Sequence, residues 1–166
     1  MGLKVYISGA LTSLDDASRL KAFYEEVAKL CASFGMEPYL PHKATDPVQH
    51  PDITAVDVYA TDERRVSECD LVIAYVGIPS LGVGAEIEIA KAHQIPVVLL
   101  YETGKPISRL IRGNPAVIAR IRFTSFEDAV EQLKSVIQSI IRKDRGKGSR
   151  QYWLDRDVIS SLKTGI

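Results

Sequence analysis

The chain has 166 residues, 46% of them hydrophobic, and its 21 lysines and arginines balance 21 aspartates and glutamates. This length is typical of one domain with a real hydrophobic core, and the charge balance does not favour general affinity for nucleic acid or membrane surfaces. We therefore expect small molecules or other proteins as partners.

The two cysteines, Cys31 and Cys69, have no spacing typical of a zinc site or a disulfide framework. They are interpreted as buried thiols in a reducing compartment. No apolar stretch approaches the about 18 residues of a membrane span, and the N-terminal residues lead directly into a strand pattern. These features predict a cytoplasmic protein that does not enter a membrane.

Strand and helix patterns alternate along the first half of the chain. Residues 3–8 form a β-branched and aromatic strand, and a helix with apolar residues at helical spacing follows and stops at Gly35. A short second strand in "MEPYLPH" leads into a proline-rich loop. A capping box at Thr54 then opens a second helix that ends near Cys69.

The second half continues the alternation. "DLVIAYV" predicts a third strand buried on both faces, "IPVVLLYE" a fourth and "AVIARIRF" a fifth, with a short helix at 108–112 before the fifth and a long amphipathic helix after it. This order predicts a doubly wound parallel sheet of five strands, covered by helices on both faces. Residues 1–143 would form this domain, and residues 144–166 a tail that could pack on a neighbouring subunit.

Ligands of such sheets bind beyond the carboxyl ends of the strands, where three loops are expected to meet. The loop after the first strand contains Ser8 and Gly9, the loop after the third reads "GIPSLGVG", and the loop after the fourth reads "ETGKPIS". In the second of these, Ser80, Gly82 and Gly84 precede a predicted helix, so that backbone N–H groups would form an anion site. A tight turn without a ligand is the simpler alternative.

Other glycine motifs fit this loop less well. A dinucleotide fingerprint would need a glycine where Ile87 stands, and would follow the first strand instead of the third. A Walker A loop is excluded because no Gly-Lys-Ser/Thr is present.

Two glutamates follow the glycines, and helical spacing separates them. Glu86 shares a face with apolar residues in the expected first turn, whereas Glu88 points away and stands three residues before Lys91. A poorly solvated carboxylate at a helix start suits a nucleophile. Glycosyl chemistry also needs a second acid, for which Asp62 on the preceding helix is the candidate.

These motifs together resemble the nucleoside 2-deoxyribosyltransferase superfamily, and especially its 2′-deoxynucleoside 5′-monophosphate N-glycosidases. The resemblance rests on "VYISG", on Asp62 eight residues before Asp70, and on "PSLGVGAEIEIA", and it covers roughly residues 4–140. It implies a flavodoxin-like, or Rossmann-like, fold assembled as a homodimer or higher homo-oligomer, and neither a metal nor an organic cofactor.

The resemblance also implies residue roles. Glu86 matches the nucleophile that attacks C1′, Asp62 the acid that assists the leaving base, and Tyr6 a tyrosine that positions the nucleophile. Ser80 and Gly82 match a cradle for the 5′-phosphate, which Ser108 of an adjacent subunit would complete.

One position departs from the resemblance, because Thr12 stands where the hydrolase branch has an arginine. The substrate preference is therefore open between a monophosphate and a nucleoside, and between ribose and deoxyribose. The expected activity is hydrolysis of the N-glycosidic bond of a nucleoside 5′-monophosphate. The alternatives are base exchange between deoxynucleosides and a non-catalytic nucleotide-binding module.

Overall fold

The computed structural model of the protein describes residues 2–11, 17–46 and 50–144. Its five strands are β1 (Lys4–Ser8), β2 (Glu37–Tyr39), β3 (Leu71–Tyr75), β4 (Val97–Glu102) and β5 (Val117–Phe123). Its α-helices are α1 (Ala17–Ser33), α2 (Ala55–Ser67), α3 (Leu81–Ala92), α4 (Arg109–Arg112) and α5 (Phe126–Asp144), and a single 3-10 turn covers Pro41–Lys43.

The strands form one sheet in the order β2-β1-β3-β4-β5, and every neighbouring pair is parallel. The direction of winding changes between β1 and β3, which is where a doubly wound sheet opens a crevice for ligands. The predicted five-stranded, flavodoxin-like α/β fold is confirmed.

Helices cover both faces of the sheet. The buried core on one face is built with residues of α1 and α5, and the core on the other face with residues of α2 and α3. Because successive side chains of a strand alternate between faces, β1 sends Val5 and Ile7 to the first core and Tyr6 to the second. Ser8 lies two residues beyond Tyr6 and shares its face.

Two expected helix ends are found in the structure. Gly35 follows α1 with φ of 75°, a left-handed conformation that glycine adopts without steric cost. Thr54 caps α2, and its hydroxyl accepts a hydrogen bond from the backbone N–H of Asp57 at 3.2 Å.

The start of α3 differs from the prediction. The helix begins at Leu81, with Ser80 as its N-cap, so Gly82 and Gly84 belong to its first turn instead of to a loop. A serine cap after Pro79 overrides the low helix propensity of glycine, because the cap satisfies a free N–H of the first turn. Glu86 therefore lies in the second turn of α3 and not in the first.

Within the described ranges, no helix is both long enough and apolar enough to cross a membrane. Helix α5 continues to Asp144. The proposed tail beyond it lies outside the described residues, and so does Thr12.

Candidate active site

Glu86 is held by two hydroxyl groups from β1. The Tyr6 hydroxyl donates to Glu86 Oε1 at 2.8 Å, and the Ser8 hydroxyl donates to Glu86 Oε2. Tyr6 and Ser8 are both fully buried. Because a strand repeats every two residues, β1 presents both donors to the same carboxylate, and each oxygen of Glu86 has its own partner. The structure thus brings three of the predicted residues together.

Glu86 lies beyond the reach of the dipole at the start of α3. Glu86 lies five residues beyond the first residue of α3, and the dipole effect falls off within the first turn. Charge on the carboxylate is stabilised instead by direct hydrogen bonds. Glu88, by contrast, forms the predicted ion pair with Lys91 at 3.0 Å and also accepts a hydrogen bond from Asn114.

Asp62 faces the same group of side chains from α2. Its Oδ1 atom is buried and has no hydrogen-bond partner among the described residues. Its negative charge raises the pKa values of both Tyr6 and Glu86, so the two carboxyls are electrostatically coupled through the space around Tyr6. The predicted acid therefore lies beside the predicted nucleophile.

Burial is the dominant influence on both carboxyl groups. It raises the pKa of Glu86 to about 7, against the hydrogen bonds from Ser8 and Tyr6, and the Asp62 charge raises it further. Burial also raises the pKa of Asp62, and the neighbouring Tyr6 hydroxyl opposes that rise. Interacting carboxyls titrate as a pair, and this pair keeps a proton at a pH where exposed carboxyls have lost theirs.

Tyr6 stays protonated in this environment. Its pKa is raised far above its ordinary value by burial first and then by the charge of Glu86. The phenol therefore acts as a hydrogen-bond donor at any physiological pH.

The start of α3 offers backbone donors to an anion. The Ser80 hydroxyl accepts from the Val83 N–H at 3.4 Å, and the Gly84 N–H reaches the Ser80 carbonyl. The N–H groups of Leu81 and Gly82 precede the first bonded turn of the helix and point away from it. A Cβ at Gly82 would meet only Ser80 Oγ, at 3.8 Å, and one at Gly84 would meet nothing within 4 Å. Open space therefore lies over both glycines.

Ser108, just before α4, shares a cavity of about 540 Å³ with Ser80. The lining of this cavity is mostly apolar and does not include Glu86. Two large apolar side chains beside the serines are exposed to solvent, Leu81 at 96% and Leu110 at 78%. Within one chain, Ser108 is thus near the helix start but is not part of the carboxylate cluster.

Gly9 is explained by packing. A Cβ on Gly9 would lie 2.3 Å from Cζ of Tyr24, a buried residue of α1 whose hydroxyl donates to the Ala10 carbonyl. Since no Cβ tolerates such a contact, glycine is required here by the ring behind it. A substrate contact by Gly9 remains a prediction.

Sequence reasoning missed Tyr39 of β2. Tyr39 pairs with Tyr6 in the sheet register, and their rings stack with centroids 5.6 Å apart. The Arg65 guanidinium also lies over the Tyr39 ring, 4.7 Å from its centroid. An alignment of "VYISG" with "EPY" as neighbouring parallel strands could have suggested this pair, but nothing in either segment alone fixes the register.

The described residues contain no group of three or more His, Cys, Asp and Glu side chains that could hold a metal ion. Cys31 and Cys69 are buried and are not in a disulfide, as predicted.

Comparison with known proteins finds sequence relatives that are named as enzymes acting on nucleotides. A protein of Syntrophotalea carbinolica provisionally named 2′-deoxynucleoside 5′-phosphate N-hydrolase 1 is 39% identical over 82 residues, which are 48% of this chain and 57% of the relative. A protein of Methanosarcina barkeri with the same provisional name is 31% identical over 114 residues, 68% of this chain and 70% of the relative. The first of these alignments spans little more than half the relative's length.

Solved structures share the fold. BlsM superposes with a TM-score of 0.69 at 20% identity, covering 89% of this chain and 98% of BlsM. The CMP N-glycosidase BcmB of Clostridium botulinum superposes with a TM-score of 0.63 at 20% identity, covering 80% of this chain and 98% of the enzyme. The sequence model of the nucleoside 2-deoxyribosyltransferase family matches residues 5–145. With most of its length matched by that model, the chain belongs to the nucleoside 2-deoxyribosyltransferase family.

Proposed function

We propose that the protein hydrolyses the N-glycosidic bond of nucleoside 5′-monophosphates, preferentially the deoxy forms, to free base and sugar 5-phosphate. The single observation that carries the proposal is the Glu86 carboxylate, which accepts hydrogen bonds from Tyr6 and Ser8 and lies beside a second carboxyl, the partly buried Asp62. The names of the curated relatives support hydrolysis of a nucleotide.

The proposed chemistry needs one proton on the pair of carboxyls. In the reactive form of the pair, Glu86, which has two hydroxyl donors, carries the charge, and Asp62, whose Oδ1 lacks a donor, carries the proton. A Glu86 oxygen attacks C1′ while the bond from C1′ to the base nitrogen breaks, and the departing electron pair takes the proton of Asp62. Water then attacks C1′ and gives a proton to Asp62, and breakage of the ester regenerates the Glu86 carboxylate.

The start of α3 is proposed as the site of the 5′-phosphate. The free N–H groups of the first turn, the Ser80 hydroxyl and the open space over Gly82 and Gly84 suit an anion that approaches along the helix axis. A nucleoside would leave these donors without a partner.

A second copy of this chain is proposed to cover the apolar cavity beside Ser80 and to bring its own Ser108 to the phosphate. Leu81 and Leu110 are too exposed for large apolar side chains that stay in water, and they flank both serines. A two-fold axis through this face would place Ser108 of each copy near Ser80 of the other.

The test is a release assay for free base, run by chromatography on all common ribo- and deoxyribonucleoside monophosphates and on the matching nucleosides. We expect turnover of at least one monophosphate and much weaker turnover of its nucleoside. In Glu86→Gln, the carboxylate nucleophile is lost, so kcat should fall by at least about 10³-fold with the fold retained by circular dichroism. Wild-type rates in a folded Glu86→Gln variant would refute the role of Glu86.

Base exchange is the alternative within the family, because transferases share the chemistry up to the glycosyl ester. Adding a second free base to the assay separates the two activities, since only a transferase converts it into a new nucleoside. A non-catalytic nucleotide-binding module would instead bind monophosphates without releasing base from any of them.

A further inference from the structure

The stacked ring of Tyr39 carries a hydroxyl that the fold leaves without a hydrogen bond. Its oxygen is buried, and no described group bonds to it with acceptable geometry. An unpaired buried hydroxyl is unfavourable for folding, and native structures retain few of them. Burial and then the Asp62 charge raise the pKa of Tyr39; Arg65, which contacts the ring, opposes this rise but does not complete a well-aligned bond to the oxygen.

The second unpaired atom of this region is Oδ1 of Asp62. Arg65 stands one helical turn after Asp62 on α2 and lies 4.7 Å from the centroid of the Tyr39 ring, so the Asp62 side chain is a neighbour of Tyr39, and its charge raises the Tyr39 pKa. The Tyr39 hydroxyl and the Asp62 carboxyl are therefore neighbours, and neither the Tyr39 oxygen nor Asp62 Oδ1 has a hydrogen-bond partner among the described residues.

We propose that Tyr39 is a positioning residue of the reaction, whose hydroxyl donates a hydrogen bond to Asp62 once that carboxyl has given its proton to the leaving base. The proposal rests on the function proposed above. Asp62 is neutral before the step and negatively charged after it, so a neighbouring donor stabilises the later state more than the earlier one. Such differential stabilisation lowers the barrier without tightening substrate binding.

The charged and titratable groups around Asp62 other than Tyr39 either repel its negative charge or interact with other groups. On the β1 side, Tyr6 interacts with Asp62 but already donates to Glu86. Glu86 on α3 repels the developing charge, as its raised pKa indicates. Arg64 and Arg65 on α2 itself act on Tyr39, and Arg65 holds its ring. Among these groups, Tyr39 is the neutral donor with no other bond.

The test is Tyr39→Phe, which keeps the ring stack and removes only the hydroxyl. We expect kcat to fall about 10- to 100-fold, the usual range for a hydrogen bond to a charged group, with KM unchanged. Loss of a donor to the carboxylate raises the Asp62 pKa, so the alkaline limb of the pH profile of kcat should move to higher pH. The effect on kcat should be small for a monophosphate with an N7-methylated, cationic purine, because such a base leaves without a proton.

Thermal unfolding distinguishes this role from a structural one. Tyr75→Phe is the matched control, because the Tyr75 hydroxyl donates to both carboxylate oxygens of Glu102 at 2.7 and 2.9 Å. We expect a lower Tm in Tyr75→Phe and an equal or higher Tm in Tyr39→Phe. A Tyr39→Phe enzyme with wild-type kcat, or with a lower kcat and an unmoved alkaline limb, would overturn the proposal while leaving the hydrolase function intact. Absence of base release by the wild-type protein would instead defeat the function itself.

Discussion

Glu86 combines two properties that oppose each other in a carboxylate. Burial favours its neutral form, whereas the hydroxyls of Tyr6 and Ser8 favour its charged form, and burial has the larger effect on its pKa. The charged form of this poorly solvated carboxylate is therefore reactive, and it lowers the free energy of unfolding. Active sites that need a poorly solvated nucleophile commonly carry such a cost.

This cost predicts a pH-dependent stability difference between the wild type and Glu86→Gln. The pKa of Glu86 is about 7 in the folded chain against an ordinary 4.5, so the folded state binds the proton more tightly. The resulting stabilisation is complete below about pH 4.5 and is lost as the pH rises through about 7. The variant lacks this titration, so its unfolding free energy relative to wild type should rise by roughly 1–3 kcal/mol between pH 4.5 and 8.

Urea denaturation at a series of pH values measures this difference. An offset between the two proteins that does not change with pH would show that Glu86 titrates normally in the folded chain.

At the scale of the element, α3 carries both the proposed anion donors and the proposed nucleophile. Gly82 and Gly84 weaken its first turn, because glycine in a helix costs roughly 0.5–1 kcal/mol relative to alanine. Neither position is crowded, since an added Cβ would find open space. Packing against neighbouring residues therefore does not require glycine at either position. The proposed function supplies a different reason, which is that a ligand approaches the backbone closely there.

Gly82→Ala and Gly84→Ala should therefore each raise the unfolding free energy by up to about 1 kcal/mol. The added methyl group should also raise KM for a nucleoside monophosphate, because it stands where the phosphate approaches the backbone. The matching nucleoside is the control substrate, and its kinetics should not change. Equal KM changes for both substrates would argue against a phosphate site here.

Much of this architecture is predictable from the sequence, because local signals fix most of its elements. The continuous apolar run of β3, the stop at Gly35 and the cap at Thr54 each depend on a few neighbouring residues. The start of α3 was placed too late, since glycines weaken the helix signal that the Ser80 cap restores. Tyr39 was missed because its importance comes from strand pairing with Tyr6, and register is a long-range property.

At the scale of the whole molecule, the chain presents one apolar face, marked by Leu81 and Leu110, beside its proposed phosphate site. Covering that face with a second copy would remove apolar surface from water and explain why Ser108 lies away from Glu86. Dimerisation and substrate affinity would then depend on the same residues.

Leu110→Glu should therefore convert the proposed dimer to a monomer, because a charge buried at an interface without a partner is strongly unfavourable. The monomer should stay folded, since Leu110 lies outside both cores. We expect KM for the monophosphate to rise, and analytical ultracentrifugation with kinetics on the same samples measures both effects. A Val56→Glu variant, altered at another exposed apolar side chain, should keep wild-type size and KM. An unaltered KM in a proven monomer would exclude a contribution of Ser108 from a partner.

The side chains of β1 alternate between a hydrophobic core and the proposed active site. Val5 and Ile7 enter one core, and the residues between and after them bond to Glu86. A slip of β1 by one residue would therefore expel the aliphatic pair from its core and remove both donors from the carboxylate in the same event. If the proposed function holds, recovery of base release during refolding reports the moment at which β1 inserts between β2 and β3 in its native register.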